Sequence, residues 1–213
     1  MTLRRTLAIV GPGVTGLGLS VAFWSRVPDR IPIHWDDNGD PDGYAPKAVV
    51  LLAVPVVGVL IGWLTSWAVG KGNAPRAADG LAFAFGLFDL GLHGMIIAAA
   101  LHPENKLAIG PLIVMLGALF TALGAAMPHL DQNKWAGVRT PWTLADEVNW
   151  KLTHRFAGWT MGIGGALAAI AGVALEGRLA FWAGFTSVMI GSLLPVGYSY
   201  VIHRMRRRPG TAR

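Results

Sequence analysis

The sequence predicts an all-α membrane protein, a polytopic bundle of six transmembrane helices, and three observations carry that expectation. Of 213 residues, 53% are hydrophobic and only 14% are charged, against roughly 25% charge in an average soluble domain. Mean hydropathy is +0.48. Six apolar windows, 6–24, 48–69, 80–101, 108–127, 156–175 and 179–202, each have the roughly 17–25 residues needed to cross a hydrocarbon core about 30 Å thick. Lipid offers the backbone no hydrogen-bond partners, and the alternation of a β-barrel is absent, so each window is read as a helix.

Orientation follows from the basic residues. Thirteen of the 18 fall on the side of the N-terminus: Arg4, Arg5, Lys71, Arg76, Lys134, Arg139, Lys151 and Arg155, then Arg204, Arg206, Arg207, Arg208 and Arg213 in the tail 203–213. Arg26, Arg30, Lys47, Lys106 and Arg178 fall on the other side. Positive charge is retained in the cytoplasm, so the expected topology is N-in/C-in. The net charge of +6 then answers anionic membrane lipid, and no nucleic-acid partner is expected. There is no cysteine, which excludes a disulfide framework and any Cys-based metal or redox site.

The first window, behind Arg4 and Arg5, imitates a secretory signal with a Ser20-Val-Ala22 cleavage-like site; five further spans favour an uncleaved helix. It contains GPGVTG, residues 11–16. A dinucleotide site would need a βαβ unit, with an acid ending its second strand. Asp36 and Asp37 instead follow a proline-rich stretch, so the glycines are read as a packing face and Pro12 as a kink.

The outer connection, 25–47, has four prolines with Gly39 and Gly43, which forbid a continuous helix and predict an irregular, turn-rich loop. Asp36, Asn38 and Asp40 have the spacing that opens an EF-hand, but Pro41 stands where the turn needs glycine and Lys47 where the bidentate Glu belongs. His34 with Asp36 or Asp37 is a looser candidate pair; no metal is assigned. Five aspartates against three basic residues leave the loop net negative, suited to a cationic peptide arriving from outside.

Asp89 and His93 stand out within the third window. They share one helix face at i, i+4, and an intramembrane acid is costly enough to count as a functional candidate. Two readings are open: a proton relay or peptide contact, or a structural tie between the pair or to Thr65, Ser66, Thr121 or Ser192. Gly158, Gly162, Gly165, Gly184 and Gly191 are read as helix-packing positions. No nucleophile elbow, zincin motif or paired carboxylate is present, so no enzyme activity and no cofactor are expected.

The inner connection, 128–155, departs most from its surroundings. In GVRTPWTLADEVNWKLTHRFAG, residues 137–158, Thr143 is the expected N-cap, with Asp146 in the capping-box position. An amphipathic helix follows to Arg155 and runs into the fifth span. Trp135, Trp142, Trp150 and Trp159 then lie near the inner interface, with Lys134, Lys151 and Arg155 toward lipid phosphate. A lipid girdle does not explain the rigid run Arg139, Thr140, Pro141, Trp142.

That run resembles a known family. WAGVRTPWTL followed by NWKLTHRFAG is similar to the signature of SdpI-type immunity proteins, bacterial inner-membrane proteins. VPDRIPIHW and NGDPDGYAPK are similar to a small domain often found at their N-terminal end. The resemblance implies an N-terminal two-helix unit over 1–78 and a four-helix unit over 79–213. It implies an inner binding motif of Arg139, Thr140, Pro141, Trp142, Thr143, Trp150, Thr153, His154 and Arg155. Its outer counterpart is Pro28, Asp29, Ile31, Pro32, His34, Trp35, Gly39, Pro41, Asp42 and Tyr44. The function implied is protection against a secreted membrane-active peptide toxin, with a cytosolic transcriptional repressor as second partner and membrane lipid as surroundings. The rival expectations are a small proton- or ion-coupled transporter using Asp89 and His93, and an intramembrane enzyme.

Overall fold

The computed structural model describes residues 2–70, 75–102 and 104–207; Lys71, Arg208 and Arg213 of the charge count lie outside the described residues. Among the described residues, six helices are long and apolar enough to cross a membrane, and the chain is a multi-pass membrane protein. They are α1 (Leu3–Phe23), α2 (Lys47–Gly70), α3 (Pro75–Leu101), α4 (Ile109–Ala126), α6 (Glu147–Ala174) and α7 (Gly177–Arg206), with a short α5 (Pro141–Ala145) before α6. All six expected windows are found. The amphipathic stretch of the inner connection joins the fifth span as one 28-residue helix. Apolar side chains point outward as well as inward: Val173 is 80% and Trp159 71% exposed, as lipid-facing positions must be.

Small residues set how closely the helices approach. On α4, Gly110, Gly117 and Gly124 recur every seventh residue and face Gly172, Gly165 and Gly158 on the antiparallel α6. A Cβ on Gly110 would stand 2.7 Å from the Gly172 carbonyl oxygen, and one on Gly172 2.6 Å from that of Gly110. Gly117 and Gly165 approach closer still. The two backbones therefore touch along their length, which permits weak Cα–H···O contacts. Gly184 opens to Ile113, and Gly191 to the Thr160 carbonyl. A Cβ on Gly162 would meet nothing within 4 Å, although its amide lies against Gly124. On the other side of the molecule α3 packs along α1 and α2 and meets α4 less extensively.

The outer connection differs from the irregular loop expected. Arg30–Trp35 (β1) and Pro41–Pro46 (β2) pair as an antiparallel hairpin, with register shifts around His34. A two-stranded ribbon consists of edges alone, where Pro32, Pro41 and Pro46 are tolerated because one N–H row faces away from the partner. Ile31 is fully buried in a core with Val27, Val50, Leu51, Ile96 and Ile97, so the hairpin sits down on the outer ends of α2 and α3.

Candidate functional sites at the two membrane faces

At the inner face the signature run folds into a hydrogen-bonded knot. Pro141 has no N–H to lose and takes the first helical position of α5, which moves the cap one turn earlier than expected. Thr140 caps α5, with Thr143 returning the bond to the Thr140 N–H at 2.9 Å. Asp146 is extended at φ −137° and caps α6 itself, accepting from the N–H groups of Val148 and Asn149 at 2.9 and 3.3 Å. Thr143 is thus interior to the capping box; it is fully buried, and its hydroxyl donates to the Val138 carbonyl at 2.7 Å.

His154, a member of the implied inner binding motif, is 1% exposed. It stacks on Trp150 with ring centroids 3.9 Å apart. The Val138 N–H donates to its Nε2 at 3.0 Å. A backbone amide can only donate, so Nε2 holds the lone pair and Nδ1 the hydrogen, given to the Trp150 carbonyl at 2.9 Å. The ring is neutral with a fixed tautomer. Gly137, at φ +109°, delivers that amide, and a Cβ there would collide with His154 Nε2. Trp150 itself donates its indole N–H to the Leu130 carbonyl at 2.7 Å.

The knot grips α7 through Ser199. Trp142 Nε1 donates to Ser199 Oγ at 2.7 Å, and Asn149 Nδ2 to the Ser199 carbonyl at 3.0 Å. Thr153 Oγ1 donates to Asn149 Oδ1 at 2.9 Å. The Trp142 ring also lies against Tyr200 and His203. Arg206 Nε closes the end of α7 onto Asp146 at 2.6 Å. Partial burial pushes the Asp146 carboxyl up, but Arg206 and the two capping N–H groups outweigh it and hold it below the usual carboxylate range. Arg139, Pro141 and Arg155 remain exposed; Arg139 donates to the Lys134 carbonyl at 3.0 Å. Most of the motif therefore braces helices, and these three face outward.

At the outer face the hairpin tip reaches across the molecule. Trp35 Nε1 donates to the Asn105 carbonyl at 2.8 Å, and the Leu107 N–H to that of Gly39 at 3.0 Å. Asp40 pairs with Lys106 at 3.1 Å, and this contact raises the Lys106 ammonium. Asp37 accepts from Arg178 Nε at 3.0 Å and from Trp182 Nε1 at 2.9 Å. The remaining acids are also engaged. Asp29 pairs with Lys47 at 3.0 Å, and His34 bonds Asp42 at 2.5 Å, in place of the Asp36 or Asp37 partner expected. The N–H groups of Asp40 and Asn38 hold the Asp36 carboxyl below its usual range. Pro32 is fully buried beside Ile31. Pro28, Ile33, His34, Asp42 and Tyr44 are exposed, Pro41 half-buried, and the Tyr44 carbonyl accepts from Arg30 at 3.1 Å.

Within the membrane, His93 and Asp89 are not tied in the way expected. Ser20 Oγ lies 2.6 Å from the Leu51 carbonyl, which takes its one hydrogen, so the oxygen accepts from His93 Nε2 at 2.8 Å. His93 is fully buried, and its Nδ1 has no partner among the described residues. Asp89 is half-buried against Gly58, where a Cβ would collide with its carboxylate. Ser66, offered as a partner for that pair, instead accepts from Arg5 Nε at 2.6 Å, and Arg5 also lies 3.6 Å from Asp79. Ser20, Asp37, Ser199 and the Arg5–Ser66–Asp79 tie escape sequence reasoning because their partners lie on other helices, at unrelated sequence distances.

Residues 129–199 match the SdpI/YfhL protein family, and residues 14–59 match a domain of unknown function, DUF1648. The first match spans the inner knot through Ser199; the second spans the outer hairpin with the facing parts of α1 and α2. Immunity protein SdpI of Bacillus subtilis (strain 168) is 30% identical over 156 residues, which cover 71% of this chain and 73% of that protein. No solved structure matches the chain. Identity of that extent, with the knot inside the matched region, makes the chain a member of the SdpI/YfhL protein family.

Proposed function

We propose that this protein acts by binding, as an immunity protein of a bacterial cytoplasmic membrane with both termini inside, and that it counters a membrane-active peptide arriving from outside. The relative named as an immunity protein supports the reading, but the observation that carries it is the outer hairpin. Its tip is bonded to both the α3–α4 connection and the first turns of α7, while Ile33 and Tyr44, 48% and 42% exposed, stand on its free surface. A peptide captured there acts on a part that couples the two sides of the bundle. At the inner face, exposed Arg139, Pro141 and Arg155 are the surface offered to a cytosolic repressor.

The test is survival of a peptide-sensitive bacterium expressing the wild-type chain or Ile33→Ser/Tyr44→Ser at matched membrane levels. Protection by the wild type that the double variant loses supports the reading. Equal killing across a panel of membrane-active peptides removes it. Repressor binding is tested by recovery of a DNA-binding protein with the detergent-solubilised chain from peptide-treated cells, and its loss with Arg139→Glu.

The Nδ1 of buried His93, without a partner among the described residues and one helical turn from Asp89, favours one second reading, ion- or proton-coupled transport. It requires flux in proteoliposomes that disappears with Asp89→Asn.

A further inference from the structure

A cleft of about 1090 Å³ opens between α3 and α4 at the inner face. Its walls are Ala77, Gly80 and Leu81 from α3 with Ala122, Ala125 and Ala126 from α4; Pro128 closes one side, and Arg76, His129 and Asp131 stand at its mouth. From Ala122 to Ala126, and from Arg76 to Leu81, the walls run about 6–8 Å into the membrane at 1.5 Å per residue. The cleft exists because α4 is drawn backbone-to-backbone onto α6, while α3 follows α1 and α2. A Cβ on Gly80 meets nothing within 4 Å, which marks open space in the wall.

The mouth carries both signs of charge. Arg76 and Asp131 are exposed, and neither side chain makes a hydrogen bond or close ion pair with the described residues. Lys151, which with Asp131 lines the adjoining cavity, is closed on Glu147 at 2.6 Å and feels the Asp131 charge only at longer range. An apolar slot open to the bilayer, at headgroup depth, with a guanidinium and a carboxylate on its rim that have no close partner among the described residues, is complementary to one kind of molecule. That molecule has an acyl chain, a phosphate and a primary ammonium.

We propose that the α3–α4 cleft is a binding site for a zwitterionic aminophospholipid of the inner leaflet. Arg76 takes the phosphate through its planar donor fork, Asp131 takes the ammonium, and the alanine-lined walls hold the glycerol and the first methylenes of one chain. The rest of the chain lies in the bilayer. An anionic lipid without an amine satisfies Arg76 and leaves Asp131 facing phosphate charge, so the site discriminates by headgroup and not by charge alone.

The experiment is native mass spectrometry of the full chain in detergent, delipidated and then titrated with phosphatidylethanolamine, phosphatidylglycerol or inorganic phosphate. The expected result is one retained phosphatidylethanolamine, bound at least fivefold more tightly than phosphatidylglycerol, with no displacement by inorganic phosphate. Asp131→Asn reverses that order, and Arg76→Gln weakens both lipids. Gly80→Phe, which fills the open wall, abolishes retention with the thermal midpoint unchanged; Ala125→Phe repeats the test from the α4 side. Equal retention of the two lipids, an Asp131→Asn variant with unaltered preference, or retention in both filled variants overturns the proposal. So does displacement by inorganic phosphate, which points to a free anion as the occupant.

Discussion

The backbone N–H of Val138 donates to Nε2 of His154, 16 residues on, at 3.0 Å, and this one bond sets the protonation state of the most buried histidine in the knot. His154→Phe keeps the stack on Trp150 but leaves the Val138 amide without its acceptor. The expected loss is about 1–3 kcal/mol, read as a lower unfolding midpoint in detergent. Gly137→Ala reproduces it from the other side, because its positive φ and the approach of His154 both oppose a Cβ.

Ser199→Ala removes the hydroxyl that receives the Trp142 indole N–H. The Asn149 bond to the Ser199 backbone survives, so α7 stays in place and the effect is confined to Trp142. A loss of about 1–2 kcal/mol is expected, with a shift in tryptophan emission as the ring loses its partner. Unchanged emission and midpoint would contradict the assignment of this bond.

At the outer face, Asp37→Ala frees the hairpin tip from Arg178 and Trp182 together. Arg178 is exposed, so the global cost is small, roughly 1 kcal/mol or less. The local consequence is large: hydrogen exchange at the Leu107 and Gly39 amides rises, while the Ile31 core remains protected.

Asp146 sets part of the acid limb. Its folded carboxyl titrates below the usual range because Arg206 and the capping N–H groups outweigh its burial. A lowered folded value contributes stability that is complete above the unfolded value, about 3.9, and is lost as pH falls through the folded value. Asp146→Asn keeps the cap but not the ion pair. It therefore flattens the acid side of the midpoint-versus-pH curve, below about pH 5, with at most about 1 kcal/mol lost at neutral pH.

Much of this architecture is legible in the chain. The six spans declare themselves because lipid forces every segment to close its own hydrogen bonds, and the run through Leu152 into the fifth span lacks any breaker. The hairpin is not legible, since prolines that disqualify a central strand are harmless in a two-stranded ribbon. Capping shifts from Thr143 to Thr140 and Asp146 because Pro141 claims the first helical position, a local rule the spacing alone left open. The acidic loop reads as a free charged surface until Lys106 and Arg178, far along the chain, are seen to occupy Asp40 and Asp37. The burial of His154 is not legible, because nothing near it in sequence announces the Val138 amide.

The glycine seam between α4 and α6 has an electrical side as well. The helices are antiparallel, so the partly positive N-terminus of α4 at Gly110 lies beside the partly negative C-terminus of α6 at Gly172, whereas the C-terminal end of α4 at Gly124 meets the interior of α6 at Gly158. Peptide dipoles that oppose one another at backbone contact attract, and the attraction grows as water is excluded. This pair gains from the bilayer what a helix pair in water loses to screening, which makes it the element expected to hold when the looser α3–α4 side gives way.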